Sequence, residues 1–310
     1  MMQKSKELVI FIPNLSAWKY VMKWPNIVWV NEKDKYWDIV EKTNQYVLNE
    51  LKRYPLSGVY FGNEFCEQLI PSLNDILECY RRCYEQKMRF TLVTPLVSNK
   101  GIQQLENIFQ SLDQLNISIE IVFNDWGVAK LLAERYPEWP KRVGRTLDKM
   151  IREPRLNHDD YTKLNAQVLE FMQEPAALSE SYTAILSQLN IQGLELDCIP
   201  QGYGNAESLY ANTIIQKSIY LPFYCVTSGR LCMMKALGKK PEDKWNIDES
   251  CVFACQKYNQ VMQKFTMKNG KQEKIKLLRK GNAVFGYNTD TEIWNMKVWD
   301  RLVWQPQIPI

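Results

Sequence analysis

SGVYFGNEFCEQLIPSLNDILECYRRCYEQKMRFTLVTPLV, residues 57–97, reads as strand, helix and strand in succession. The outer runs, SGVYFG (57–62) and RFTLVTPLV (89–97), are β-branched and aromatic. Between them, PSLNDILECYRRCYEQ (71–86) spaces its apolar residues at the three- and four-residue interval of one helical face. Its opening, PSLND, suits a helix start. Two strands joined in this way lie parallel, with the helix as their crossover.

The same unit recurs on both sides. Further strand-like runs are LVIFIP (8–13), ISIEIVFND (117–125), KRVGRTL (141–147), IQGLELDCIP (191–200), SIYLPFYCV (218–226), NAVFGY (282–287) and RLVWQP (301–306). Helical spacing marks YWDIVEKTNQYVLNELKRY (36–54), GIQQLENIFQSLDQL (101–115), YTKLNAQVLEFMQ (161–173) and SESYTAILSQLN (179–190). So many alternations within 310 residues predict a single α/β domain, residues 1–310. Its expected architecture is a TIM-like (β/α) barrel with an irregular or incomplete last unit. Residues 238–280 are polar and charged and break the alternation, so they read as a cysteine-bearing excursion from the scaffold.

Apolar residues make up 45% of the chain, enough for a sizeable core, and the net charge is only +4. No Lys/Arg block stands out, so nothing here marks a nucleic-acid binder. LVIFIP is too short for a signal peptide, and no stretch approaches the ~20 apolar residues of a membrane helix. The expectation is a cytoplasmic protein with no transmembrane segment. In a reducing compartment its eight cysteines serve as ligands or buried thiols rather than disulfides. The single histidine, His158 in the polar stretch PRLNHDDY, rules out a multi-His centre within one chain and reads as a surface residue. No GxxxxGK[ST] loop, GxSxG or HExxH occurs, and GYGNAE (202–207) lacks the third glycine of a dinucleotide fingerprint.

The cysteines divide by position. Cys79 and Cys83 sit in a strongly helical segment beside Leu73, Ile76, Leu77 and Tyr80, and read as core thiols, as does Cys198 in LELDCIP. Cys66 differs, because it follows a strand that ends at Gly62, with three residues before the thiol. In barrels, chemistry is built on the loops after strand C-termini. Cys232 follows another strand, and the pair Cys251/Cys255 lies in the excursion. Four thiolates suit tetrahedral Zn²⁺ or a [4Fe–4S] cluster, and packing alone is the third reading.

Polar residues at other strand ends are Asn124, Asp125, Arg145, Glu195 and Asp197. Glu195 and Asp197 stand two apart, so an extended strand points both to one face. They could bind a cation, position a donor or relay protons, or pair with Arg145 as a buried structural ion pair. Asp125 is also placed to cap the helix WGVAKLLAERY. Trp126, Tyr60, Phe61, Phe223 and Tyr224 lie near strand ends, as core or as the wall of a pocket.

GVYFGNEFC (58–66), FNDWGV (123–128), VGRTLDKMIREPR (143–155), LELDCIPQG (194–202), SGRLCMMKAL (228–237) and CVFAC (251–255) follow one another in an order that resembles the collagenase-like peptidase family (peptidase family U-32). Within it, the UbiV-like branch of oxygen-independent ubiquinone hydroxylation is the most similar. The resemblance implies that Cys66, Cys232, Cys251 and Cys255 hold a [4Fe–4S] cluster, with the cluster-binding excursion at about 226–280. Cys225 is a fifth candidate ligand, and Arg230 a nearby cation to offset thiolate charge. It further implies a UbiU-like partner subunit, a small aromatic or prenylated acceptor such as a quinone precursor, and a prephenate-like oxygen donor. A peptidase, a non-catalytic Fe–S scaffold or electron-transfer subunit, and a zinc protein are the alternatives.

Overall fold

Apolar runs with almost no alternation belong to strands buried on both faces, and eight such runs close here into a parallel barrel. The computed structural model describes residues 6–29, 35–156, 158–204, 215–244, 251–268 and 271–310. The barrel strands are β1 (Glu7–Ile12), β2 (Leu56–Gly62), β3 (Arg89–Thr94), β4 (Glu120–Phe123), β5 (Lys141–Val143), β6 (Gly193–Asp197), β7 (Gln216–Leu221) and β12 (Arg301–Trp304). Their order around the barrel is β1-β12-β7-β6-β5-β4-β3-β2. Strands β8 (Phe223–Ser228), β9 (Gln260–Lys268), β10 (Lys271–Lys280) and β11 (Ala283–Tyr287) form a separate antiparallel sheet in the order β8-β11-β10-β9.

Alternate residues of the barrel strands do different work. Val9, Phe11, Tyr60, Val93, Val122, Tyr220 and Val303 fill the interior. Their neighbours, such as Leu8, Ile10, Ile12, Val59, Phe61 and Leu92, belong to the larger cluster that packs on the helices. Each large aliphatic side chain so buried stabilises the fold by about 1.5–3 kcal/mol.

The helices are α1 (Trp18–Met22), α2 (Lys35–Leu51), α3 (Leu73–Glu85), α4 (Asn99–Gln114), α5 (Trp126–Arg135), α6 (His158–Tyr161), α7 (Ala166–Gln173), α8 (Glu180–Gln188) and α9 (Thr291–Asn295). Side chains of Ser72, Ser98, Asp125 and Asn165 accept backbone N–H bonds at the starts of α3, α4, α5 and α7. Cys79 and Cys83 face the core from α3, and Cys198 is equally buried after β6. The side chain of His158 lies outside the described residues.

Three expectations need correction. SIYLPFYCV is not one strand: β7 ends at Leu221, and Pro222, with no N–H to give a ladder, separates it from β8. NAVFGY is β11 of the second sheet rather than a barrel strand, so RLVWQP supplies the eighth. The excursion is wider than 238–280, because it contains the long hairpin β9–β10 and spans the whole stretch between β7 and β12. Its residues 245–250 and 269–270, and 205–207 of GYGNAE, lie outside the described residues.

Gly62 ends β2 with φ +130°, and a Cβ there would stand 2.2 Å from the Val93 carbonyl oxygen. Side-chain-bearing residues pay for both the angle and the contact. Gly62→Ala is expected to lower the unfolding free energy by about 1–3 kcal/mol, measured by urea denaturation.

Candidate metal centre

The turn after Gly62 is built by Asn63. Its Oδ1 accepts from the N–H groups of Phe65 (2.9 Å) and Cys66 (2.8 Å), and its Nδ2 donates to the Pro309 carbonyl at 3.3 Å. This Asx-type turn presents Cys66 outward at the C-terminal face of the barrel. Arg230 donates to the Val97 carbonyl at 3.1 Å, tying the loop that carries Cys232 to the end of β3. Phe253, with φ +53°, curls the chain between the other two thiols, and its N–H donates to Cys251 Sγ at 3.3 Å. Asn282 joins two of these loops: its Nδ2 donates to the carbonyls of Phe65 (2.5 Å) and Gly229 (2.6 Å).

Cys66, Cys232, Cys251 and Cys255 all line one cavity of about 620 Å³. Lys100, Arg230, Lys235 and Lys244 line it too, together with Leu96, Leu231 and Phe253. The carboxylate on this wall, Glu67, is turned onto backbone and accepts from the Ser98 N–H at 2.7 Å. Burial pushes the Cys66 thiol up to about 12; the Gln68 N–H opposes this, and the other three sulfurs add to it. Burial also raises Cys255, against a hydrogen bond from Gln256, and Cys232 and Cys251 add to the rise. Thiols in this state bind metal by releasing protons.

A single tetrahedral zinc draws its four sulfurs to about 3.8 Å from one another. Among the described residues, no three Cys, His, Asp or Glu side chains converge on one ion in this way. In an iron–sulfur cubane each cysteine binds a different iron, so the sulfurs stand around a body rather than a point. Four thiols lining one cavity are a donor set of that chemistry.

Cys225 is not on the cavity wall. Its side chain sits in the barrel mouth, where burial, and then the Asp197 charge, raise its thiol to about 12. Its N–H donates to Asp197 Oδ1 at 3.3 Å.

The strand-end polar residues form a second, buried constellation. Arg145 Nη1 donates to Asp197 Oδ1 (2.7 Å) and to the Phe223 carbonyl (2.9 Å), while its Nη2 donates to Glu64 Oε2 (2.7 Å). Arg152 holds the other Asp197 oxygen at 3.0 Å. The Arg145 guanidinium also lies 4.3 Å from the Tyr220 ring centroid. One layer deeper, Arg142 pairs with Glu195 and donates to Ser218 Oγ at 2.7 Å. Glu195 and Asp197 thus share a face, and each has its own arginine. Asn124 braces three strand ends, donating to the Thr94 carbonyl (2.9 Å) and accepting from Thr146 Oγ1 (2.6 Å). Asp125 accepts from Gly127 N (2.7 Å) and Val97 N (3.3 Å), so both its oxygens serve backbone. Of the flagged aromatics, Tyr60, Phe61, Phe223 and Tyr224 are core, and Trp126 is partly exposed.

Sequence reasoning missed Glu64, Arg142, Arg152 and Asp148. Glu64 carried a usable signal: it stands two residues beyond the end of β2, much as Asn124 follows the end of β4. Arg142 faces the barrel interior from mid-strand, where position alone does not mark a polar residue.

Among solved structures similar to this chain is the U32 peptidase Mk0906, at 7% identity, covering 98% of this chain and 94% of that one with a TM-score of 0.45. Another is the spore cortex-lytic enzyme SleL of Bacillus megaterium QM B1551, at 10% identity, covering 97% and 70% with a TM-score of 0.35. No protein-family profile matches the sequence. No curated protein matches it either. No helix among the described residues is long and apolar enough to cross a membrane.

Arg145→Met leaves two buried carboxylates facing one another with Arg152 alone to answer them. It is expected to destabilise the protein by about 3–5 kcal/mol in chemical denaturation. Asp148 offers a pH test. Burial pushes its carboxyl up to about 6, although the Ala177 N–H and Arg152 favour the charged form. An unfolded aspartate titrates near ~3.9, so between these values the folded chain keeps a proton that the unfolded chain has lost. This contribution is full below about pH 4 and is lost as pH rises through about 6, on the order of 2–3 kcal/mol. Asp148→Asn is expected to flatten that decline when urea midpoints at pH 5 and 7.5 are compared.

Proposed function

We propose that this chain is a [4Fe–4S] protein of an oxygen-independent hydroxylation system, with Cys66, Cys232, Cys251 and Cys255 as ligands. The observation that carries the reading is the convergence of these four thiols, from three well-separated segments, on one cavity at the C-terminal face of the barrel. The ordered sequence segments similar to the UbiV-like branch support the same assignment. They also point to a UbiU-like partner subunit and to a prenylated aromatic or related acceptor.

A bound cluster supplies one-electron chemistry at this wall. The chain's own residues do the remaining work. Asn63, Phe253 and Asn282 hold the cysteine loops in register. Lys100, Arg230, Lys235 and Lys244 give the cavity a cationic wall, which attracts a carboxylate-bearing oxygen donor of the prephenate kind. Leu96, Leu231 and Phe253, each partly exposed on the same wall, offer apolar contact to an aromatic or prenylated acceptor.

Oxygen-free purification is expected to yield a coloured protein with about four iron and four sulfide per chain, whose visible absorption bleaches on reduction. Single Cys→Ser changes at 66, 232, 251 or 255 should each strip most of the iron. Cys79→Ser, Cys198→Ser and Cys225→Ser should retain it. Stoichiometric zinc in place of iron, or iron retained after Cys66→Ser and Cys251→Ser together, would reject the assignment.

A further inference from the structure

Lys280 ends β10 and is only 6% exposed. The other buried cations of the barrel have answers. Arg142, Arg145 and Arg301 each meet a carboxylate, and Lys141 donates to the carbonyls of Pro137 (2.7 Å) and Trp139 (3.0 Å). Lys280 has no such carboxylate among the described residues; the charge-bearing group that acts on it is Cys255. The backbone next to Lys280 also runs against Cys255. Lys280 pairs with Ala283 across a tight turn, and a Cβ on the intervening Gly281 would stand 3.6 Å from Cys255 Cβ. A long, mostly buried ammonium side chain is therefore held next to the thiol cavity, with no carboxylate paired to it among the described residues.

A buried ammonium without a counter-charge costs free energy in the metal-free protein. That cost is recovered only when negative charge arrives beside it. We propose that Lys280 is the built-in counter-charge of the thiolate set: as the buried cation neighbouring Cys255, its ammonium offsets the negative charge that the four sulfurs carry once a cluster binds, and thereby raises that cluster's reduction potential. The inference rests on the cluster reading given above. Net charge and nearby dipoles are among the levers that set such potentials, and a cation favours the form with one more electron. Arg230 and Lys244, at the solvent-exposed rim, act through water and salt and are screened. Lys280 acts through protein, where the same charge counts for more.

The test compares wild type, Lys280→Met and Lys280→Arg, the methionine being close to lysine in length and apolar. In cluster-loaded protein purified without oxygen, midpoint potentials are read by EPR-monitored titration with dithionite and mediators. Lys280→Met is expected to shift the midpoint to more negative potential at unchanged iron content, and Lys280→Arg to stay near wild type. An unchanged or more positive midpoint in Lys280→Met overturns the proposal. So does an arginine variant that shifts as far as the methionine one. A second measurement uses metal-free protein: there Lys280→Met is expected to melt above wild type, since an unanswered charge has been removed, and melting at or below wild type overturns the counter-charge role. If the wild-type chain holds no iron, the cluster reading falls by itself, and the melting comparison still decides whether Lys280 is an unanswered charge.

Discussion

The barrel cannot close until Arg301–Trp304 lies between β1 and β7, and this obligation shapes everything that follows β7. The chain leaves the barrel at Pro222 and must return in the same gap. Gln305 secures the junction, accepting from Phe223 N at 3.2 Å through its side chain and donating its own N–H to the Leu221 carbonyl at 2.7 Å. Asn288 N donates to the Pro222 carbonyl at 2.9 Å, so outgoing and returning chains are tied at one point. What lies between them folds as a second sheet on the C-terminal side. Its loops deliver Cys232, Cys251 and Cys255 to the place where β2 delivers Cys66. The cavity is thus a consequence of deferring the eighth strand.

Legibility followed burial. The parallel strands could be read because both their faces are covered, and β-branched and aromatic residues accumulate without a polar alternation. The helix reading of 161–173 was too long: Asn165 accepts from Gln167 N and starts α7 anew, so the segment breaks after Tyr161. Strands β9 and β10 were illegible for the opposite reason. QVMQKFTMK and KQEKIKLLRK are written in Lys, Gln and Glu, residues with little preference for strands, and only their mutual pairing from Gln260–Arg279 to Lys268–Lys271 makes them a ribbon. Pro222 within SIYLPFYCV was a visible breaker, and proline belongs at strand edges rather than in a central ladder.

The site was legible in unequal parts. A cysteine placed just beyond a strand carries information because the barrel sends all strand C-termini to one face. Lys280 carries none in the sequence: one lysine in a lysine-rich stretch gains meaning only when the turn at the next residue, Gly281, lies against Cys255. Glu195 and Asp197 were correctly put on a common face, but their partners differ, because Arg142 and Arg145 stand at different heights on and beyond β5.

This separation of heights explains where the cavity lies. Barrel enzymes commonly place chemistry on the axis, above the strand ends. In this chain the axis is closed by Arg145, which spends its donors on Glu64, Asp197 and a backbone carbonyl, with Tyr220 under its face. A guanidinium so saturated has little left to offer a ligand, and opening the layer would leave charges buried without partners. Phe65 stands at the boundary. Glu64 before it turns inward to Arg145, Cys66 after it lines the cavity, and its own ring packs edge-on against Phe285 of the second sheet at 5.1 Å. Three consecutive residues thus divide the mouth into a sealed ionic plug and an off-axis cavity. The plug gives the cysteine loop a rigid floor, and the cavity takes its second wall from the excursion that barrel closure forced outward.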